Sequence, residues 1–236
     1  MSAQFKQPAV LFDLYSTLVE EQKDNPFYPA MIANLSLPEA FWPAYLACGS
    51  ASMIGHVDGM AGRILKACGI AGCERDTQTV YGFVDAHIEL FQASVQVYED
   101  TFSALQQVTG MGLNTALVSN ASSYSLPIIH NLGLNDFFDA MSLSYQLGVL
   151  KPDKAIYLDA CTRLGVSPEN CIYVGDGGDK ELLGAHDLGM TTILVNRNKP
   201  HTASARQHAK HEVRSLTHAI NIVEILMESK THAFAC

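Results

Sequence analysis

The feature that most constrains this fold is a series of short, continuously apolar runs that each end in polar residues. Four runs are clear and a weaker fifth covers residues 139–144; the four are 9–13, 114–120, 171–176 and 191–197. Runs that are apolar throughout, rather than alternating, are typical of strands buried on both faces of a parallel sheet. Helical patterns separate the runs. The sequence therefore predicts an α/β fold with a doubly wound, Rossmann-like parallel sheet.

The stretch 21–97 interrupts this alternation of strands and helices. It holds no convincing buried strand, and its best patterns are helical: PEAFWPAYLACGS, AGRILKACG and DTQTVYGFVDAHIELFQAS. We expect a helical cap domain over 21–97, inserted after the first strand into a core formed by 1–20 and 98–236. The polar segment 197–215 is predicted to be a surface loop.

Composition and charge exclude several classes of protein. The chain has 236 residues, 48% of them hydrophobic, and a net charge of −9. A full core can therefore be buried, and the acidic balance argues against nucleic-acid binding. The apolar runs are far shorter than the roughly 20 residues that span a bilayer, and no secretory signal is evident at the start. The irregularly spaced cysteines indicate no disulfide framework. We expect a cytoplasmic protein without nucleic-acid or membrane partners, and monomer and homodimer both remain open.

Chemically versatile side chains stand where the predicted strands end. Asp13 ends the first run, Ser119 and Asn120 end the second, and Asp176 follows the third, while Lys151 precedes a predicted helix. In open α/β sheets, ligands bind beyond the carboxyl ends of the strands. This set suits a small anionic substrate held by Ser and Lys, with a hard cation such as Mg²⁺ held by carboxylates.

Four segments resemble the motifs of the haloacid dehalogenase-like hydrolase superfamily. The segments are Asp13-Leu-Tyr15-Ser-Thr17, Ser119 in LVSN, Lys151 in GVLKPDKAIY, and VGDGGDKELLGAHDLGM around Asp176. Their order and spacing match the family over about 1–20 and 98–226. The helical insertion corresponds to the family's helical cap, between the first and second motifs.

The resemblance implies a mechanism for these residues. Asp13 would be the nucleophile that forms a covalent aspartyl intermediate, which water then hydrolyses. Ser119 and Asn120 would bind the substrate's phosphate group. Lys151 would neutralise charge on the nucleophile and on the phosphoryl group, and Thr17 would orient the first loop.

The resemblance also implies a Mg²⁺ site. Its ligands would be Asp13, the backbone carbonyl of Tyr15, and Asp176. Glu181 is favoured as the second acid of the fourth motif because it directly precedes the stretch LLGA. Asp179 is the alternative, and it is otherwise interpreted as a surface residue or a helix N-cap.

Tyr15 departs from the pattern of the family's phosphatases. Those enzymes usually carry a second Asp there, and losing a general acid–base costs about 10²- to 10⁴-fold. The family's 2-haloacid dehalogenases carry Tyr at this position, because a halide needs no proton, and they need no metal. Asp176 and Glu181, however, form the pair of acids that a metal-dependent phosphatase needs, so they favour a phosphatase. We therefore predict a Mg²⁺-dependent phosphatase of a small phosphorylated metabolite, with a 2-haloacid dehalogenase as the alternative and a non-catalytic binder third.

In the cap, the loop Gly55–Gly59 and the following residues are the candidates for contact with substrate. His56 and Arg63 carry side chains that suit an anion. The competing interpretation is an ordinary turn between helices with exposed polar residues. The sequence leaves both interpretations open.

Overall fold

The computed structural model describes residues 8–197 and 203–233 of the chain. Its strands are β1 (Ala9–Phe12), β2 (Val19–Glu21), β3 (Val95–Val97), β4 (Asn114–Ser119), β5 (Ala140–Leu143), β6 (Cys171–Gly175), β7 (Thr191–Val195) and β8 (His211–Val213). Six of these strands form one sheet in the order β5-β4-β1-β6-β7-β8, and every neighbouring pair is parallel. The predicted α/β fold with a doubly wound parallel sheet is confirmed, including the weaker fifth strand.

Helices connect and cover these strands. They are α1 (Phe27–Asn34), α2 (Phe41–Ala47), α3 (Gly49–Met53), α4 (Gly59–Ile70), α5 (Thr77–Ala93), α6 (Thr101–Gly110), α7 (Ser125–Asn131), α8 (Ser144–Leu147), α9 (Lys154–Leu164), α10 (Glu181–Asp187), α11 (Ala203–Gln207) and α12 (Leu216–Ala233). In the part of the chain that the structure describes, none combines the length and apolar content that a bilayer crossing requires.

Two faces of the sheet are buried, which explains why the strands are apolar throughout. Val10 and Phe12 of β1 pack into one apolar cluster, whereas Leu11 of the same strand packs into a second cluster on the opposite face. Side chains of a strand alternate between faces, so a half-exposed strand would alternate in polarity. A parallel sheet covered on both faces requires the continuous apolar runs seen in the sequence.

The helices α1 to α5 form the insertion that the sequence predicted after the first strand. An antiparallel ribbon of β2 and β3, in which Val19 pairs with Val97, closes the two ends of this insertion. The ribbon strands were not predicted, because each has three residues and both Glu20 and Glu21 of β2 are exposed. The boundaries of the two domains, at 21 and 97, stay a prediction.

The prediction of a surface loop over 197–215 is wrong for part of that segment. Within it, α11 covers Ala203–Gln207 and β8 adds a sixth strand to the sheet. The three residues of β8 are too few for a recognisable pattern. Tertiary contacts stabilise the segment instead: β8 pairs with β7, and the buried hydroxyl of Thr192 donates to the carbonyl of His208.

Candidate active site

The sheet order brings the predicted site residues to one edge of the molecule. Because β1 lies between β4 and β6, the carboxyl ends of these three strands adjoin. Asp13 directly follows β1, Ser119 ends β4, and Asp176 directly follows β6. The backbone N–H of Asp13 still donates to the carbonyl of Val174, at 3.0 Å, so the sheet ladder fixes the position of Asp13.

A buried ion cluster forms the centre of the site. The Lys151 ammonium lies 2.5 Å from Oδ1 of Asp13 and 2.6 Å from Oε2 of Glu181. All three residues are buried, with at most 5% exposure. Buried charges are tolerated where their remaining polar atoms also find partners. Here the Thr17 hydroxyl donates to Oδ2 of Asp13 at 3.0 Å. The role of Thr17 in orienting the first loop stays a prediction.

Glu181 is held by groups that the sequence did not single out. The Tyr173 hydroxyl donates to its Oε2 at 2.8 Å, the N–H of Gly177 donates to its Oε1 at 2.8 Å, and the Tyr157 hydroxyl donates to its backbone carbonyl at 2.9 Å. Gly175 makes room for the carboxylate, because a Cβ there would lie 2.1 Å from Oε1. Both tyrosines occur inside apolar patterns, where an aromatic ring predicts core packing and nothing about its hydroxyl.

Burial and mutual repulsion shift the proton affinities of this cluster. Burial raises the pKa of Asp13, although Lys151 partly offsets the effect. Burial, together with the charge of Asp13, raises the pKa of Glu181 to about 8. Burial disfavours the charged Lys151, yet the carboxylates of Asp13 and Glu181 hold its pKa above the ordinary value. Lys151 therefore keeps its charge, while burial leaves both acids with a raised affinity for a proton.

The carboxylates at this edge fit a divalent cation. One oxygen each from Asp13, Asp176 and Glu181 lies within 4.8 Å of the others. Three carboxylates with a single ammonium leave excess negative charge, and oxygen donors are those that Mg²⁺ prefers. Both oxygens of Glu181 and both oxygens of Asp13 already accept hydrogen bonds, whereas among the described residues Asp176 accepts on Oδ1 alone, from the backbone N–H of Gly178. Asp176 is therefore the acid with the most capacity to bind a cation. Asp176 is partly exposed.

Asn120 joins two of the loops at this edge. Its Oδ1 accepts from the backbone N–H of Lys151 at 2.8 Å, and its Nδ2 donates to Asp179 at 2.7 Å. Asp179 is exposed, which agrees with its interpretation as a surface residue. It is not the N-cap of α10, because Lys180 takes that position, without a capping bond from its side chain. Asp179 and Lys180 both have positive φ values, 50° and 56°, which are strained for residues with a side chain.

Ser119 presents an unpaired polar atom. Its hydroxyl is buried, with 1% exposure, and has no hydrogen-bond partner among the described residues. An unsatisfied buried polar atom costs free energy and is rare in proteins. The oxygen of an anionic ligand at the end of β4 would satisfy this hydroxyl.

The Tyr15 hydroxyl contacts a serine of the segment that follows β4. It lies 3.1 Å from Oγ of Ser125, at the start of α7. Burial raises the pKa of Tyr15 above its ordinary value, so the side chain stays a neutral phenol. The next residue, Ser16, has a φ of 64°, and this left-handed turn redirects the chain after Asp13. The predicted metal contact through the Tyr15 backbone carbonyl stays a prediction.

Arg197 anchors the loop that follows Asp13, a role that no sequence motif indicated. Its Nη2 lies 3.1 Å from the carbonyl oxygen of Thr17 and 2.7 Å from a carboxylate oxygen of Asp100. The position of Asp100 before α6 predicts a helix cap. The carboxylate makes no capping bond, however, and accepts instead from Arg197 and from the N–H of Leu216.

The two cap residues proposed to contact substrate lie in different surroundings. Arg63 is half-buried and bonds across the seam between cap and core, with Nη1 3.3 Å from the hydroxyl of Tyr124. His56 is exposed on the turn between α3 and α4. Contact with substrate stays a prediction for both residues.

Fold and site together define a Rossmann-like α/β core with a helical insertion and a buried acid–lysine cluster at the carboxyl ends of its strands. Residues 8–189 match the haloacid dehalogenase-like hydrolase family. The chain belongs to this family, as its four motifs predicted.

Relatives with different activities resemble this chain. A glyceraldehyde 3-phosphate phosphatase of Methanopyrus kandleri is 33% identical over 129 residues, which are 54% of this chain and 55% of that protein. The chain thus spans about half the length of this relative. Among solved structures, a HAD phosphatase from Thermococcus onnurineus has a TM-score of 0.62 at 22% identity, covering 92% of this chain and 97% of that one. A 2-haloacid dehalogenase from Pseudomonas syringae has a TM-score of 0.67 at 23% identity, covering 94% and 99%. These structural likenesses show the fold alone.

Proposed function

We propose that this protein is a Mg²⁺-dependent phosphatase that acts on a small phosphorylated metabolite through an aspartyl-phosphate on Asp13. One observation carries the proposal: carboxylate oxygens of Asp13, Asp176 and Glu181 lie within 4.8 Å of one another. Displacement of a halide from carbon needs no cation, whereas phosphoryl transfer uses one to offset the charge of the phosphoryl oxygens. The phosphatase from Methanopyrus kandleri, at 33% identity, supports the same class of reaction.

The residues of this chain would divide the chemistry between them. A carboxylate oxygen of Asp13 attacks phosphorus while the bond from phosphorus to the leaving oxygen breaks. Water then hydrolyses the acyl phosphate, which releases inorganic phosphate and restores the carboxylate. Lys151, bonded to Asp13 at 2.5 Å, offsets charge throughout, and the unpaired hydroxyl of Ser119 donates to a phosphoryl oxygen. Positioning and electrostatic stabilisation supply most of the rate in such reactions.

Asp13 and Asp176 would hold the Mg²⁺ ion, together with the backbone carbonyl of Tyr15. The bound cation would supply Lewis-acid stabilisation of the phosphoryl oxygens. Glu181 has a different task in this scheme. Its carboxylate lies 2.6 Å from the Lys151 ammonium, and it fixes that ammonium beside the nucleophile.

Tyr15 restricts which substrates suit this site. The phenol is neutral and bonded to Ser125, so it does not replace the carboxylic acid that would protonate a leaving oxygen. Phosphorylated substrates with acidic leaving groups, such as aryl and acyl phosphates, should therefore be favoured. The same feature favours the second candidate function, a 2-haloacid dehalogenase, because a halide leaves without a proton.

Hydrolysis of 4-nitrophenyl phosphate, with Mg²⁺ or with a chelator, tests the proposal. We expect turnover that depends on Mg²⁺, that Asp13→Asn abolishes, and that the control Asp85→Asn retains, because Asp85 is an exposed acid on α5 of the cap. Release of chloride from 2-chloropropionate is measured in parallel. Chelator-resistant chloride release without phosphatase activity would overturn the proposal in favour of the dehalogenase.

A further inference from the structure

We propose that Arg63 recognises a carboxylate on the substrate, set apart from the phosphoryl group, so that the substrate is a phosphate ester with a second anionic group. This inference rests on the proposed phosphatase function. It starts from the hydrogen bonds of the guanidinium. Nε and Nη2 donate to the backbone carbonyl of Tyr45, at 3.2 and 3.1 Å, and Nη1 donates to the hydroxyl of Tyr124 at 3.3 Å. A guanidinium has five N–H donors. One N–H on each terminal nitrogen therefore remains available.

No carboxylate of the described residues forms an ion pair with Arg63. Among the described residues, Arg163, Arg197 and Arg206 each pair with an acid within 4.0 Å, whereas Arg63 pairs with none. Its Cζ instead lies 3.9 Å from the centre of the Tyr45 ring. A half-buried charge bonded only to neutral groups is costly, and a ligand anion would offset that cost. Two N–H donors on the terminal nitrogens suit the two oxygens of a carboxylate.

Contacts connect Arg63 to the loops of the candidate active site. Tyr124, which accepts from Arg63, belongs to the segment that follows β4 and its terminal Ser119. The neighbouring Ser125 is bonded to the hydroxyl of Tyr15, two residues beyond Asp13. Across the seam between cap and core, Arg63 thus contacts the same core segment that contacts the loop of the proposed nucleophile.

The guanidinium is also held in place before any ligand arrives. The carbonyl that accepts from Nε and Nη2 belongs to α2, and the hydroxyl of the same Tyr45 donates to the sulfur of Met60 on α4 at 3.0 Å. Gly49 leaves room beside it, because a Cβ there would lie 3.3 Å from Nη2. A preorganised donor pair loses little conformational freedom on binding, which favours affinity.

Two matched esters test the inference: 3-carboxyphenyl phosphate and its neutral amide, 3-carbamoylphenyl phosphate. Their sizes agree, and the slightly more acidic phenol of the amide works against the expected result. We expect native kcat/KM to favour the carboxylate by about 10- to 100-fold, the range that a charge-assisted hydrogen bond supports. Arg63→Gln should collapse that ratio. Arg75→Gln is the control and should keep it, because Arg75 is a cap arginine bonded to backbone carbonyls such as that of Leu35.

Binding separates a failure of this inference from a failure of the proposed function. In the Asp13→Asn background, calorimetry measures the affinity for both esters without turnover. The same preference for the carboxylate, lost on adding Arg63→Gln, supports the inference even if the native chain fails to hydrolyse 4-nitrophenyl phosphate. Equal affinity for the two esters, or a preference that survives Arg63→Gln, overturns it. Partial retention of the preference in Arg63→Lys would identify the charge, rather than packing, as its source.

Discussion

Glu181 makes the stability of this protein depend on pH in an unusual direction. Burial and the charge of Asp13 raise its folded-state pKa from 4.5 to about 8. Between these values the folded protein holds a proton that the unfolded chain has released, so the free energy of unfolding falls as pH rises. The raised pKa of Asp13 acts with the same sign, while that of Lys151 matters only at higher pH. We therefore expect the metal-free protein to lose stability between about pH 5 and pH 8.

Urea unfolding in the presence of a chelator measures this loss. Glu181→Gln cannot titrate, so the slope of its stability against pH should be shallower than the native slope by up to about 1.4 kcal/mol per unit. The slope is the readout, because the variant also changes stability at every pH. Parallel slopes in the two proteins would contradict the assignment to Glu181.

Tyr15 can be tested by restoring the acid that the family's phosphatases usually carry. In Tyr15→Asp, a carboxylic acid becomes available to the leaving oxygen, and general acid catalysis contributes about 10²- to 10⁴-fold. We expect kcat/KM for alkyl phosphates to rise by at least about tenfold relative to aryl phosphates. Tyr15→Asn is the matched control, since it has the same shape without the acid. If Asp and Asn give the same ratio, the leaving group does not take its proton at this position.

At the scale of elements, the length of each strand's apolar run determined whether the strand could be predicted from the sequence. The strands β1, β4, β6 and β7 have four to six residues that are almost entirely buried, so their apolar runs stand out. The strands β2, β3 and β8 have three residues each and expose at least one of them. Their pairing depends on neighbours that come together only in the fold, and no local pattern records such neighbours.

Thr192 gives a test of how α11 and β8 are attached. Its hydroxyl donates to the carbonyl of His208, and it lies 3.1 Å from the backbone N–H of Lys210, which it can accept. Thr192→Val keeps the shape of the side chain and removes both bonds, so we expect a loss of about 1–3 kcal/mol in the free energy of unfolding. The neighbouring Thr191 is less buried and serves as the control through Thr191→Val. Equal losses in the two variants, measured by urea unfolding, would show that the hydroxyl does not attach this segment.

At the scale of the whole molecule, the sequence predicted the centre of the site better than its surroundings. Strand ends placed Asp13, Ser119 and Asp176 together, because adjacent parallel strands bring their carboxyl ends to one edge. The hydrogen bonds of the Tyr173 hydroxyl and of the Arg197 guanidinium were not predicted from the sequence. Their partners are distant in sequence, and a residue type alone does not reveal which distant atom it bonds.

The seam between cap and core also depends on contacts between residues that are distant in sequence, and the buried Ser144 makes one of them. The Ser144 hydroxyl lies 2.6 Å from the carbonyl of Met53 in the cap and accepts from the backbone N–H of Ala121 in the core at 2.9 Å. A second contact joins the hydroxyls of Ser52 and Ser122 at 2.6 Å. These contacts are single side-chain hydrogen bonds, whereas the sheet is held by ladders of backbone hydrogen bonds. Removing one of them should therefore destabilise the seam more than the sheet.

Ser144→Ala should therefore speed local opening of the cap. It breaks the bond to Met53 across the seam, which lowers the cost of opening by about 1–1.5 kcal/mol. The N–H of Ala121 loses its acceptor within the core in both the closed and the open state. We expect amide hydrogen exchange in α3 to become about tenfold faster while exchange in β1 and β4 changes little. Ser103→Ala is the control, because Ser103 is exposed and its hydroxyl donates to the nearby carbonyl of Asp100. Equal acceleration in α3 and in the sheet would mean that the serine stabilises the whole fold, and that the cap does not open as a separate unit.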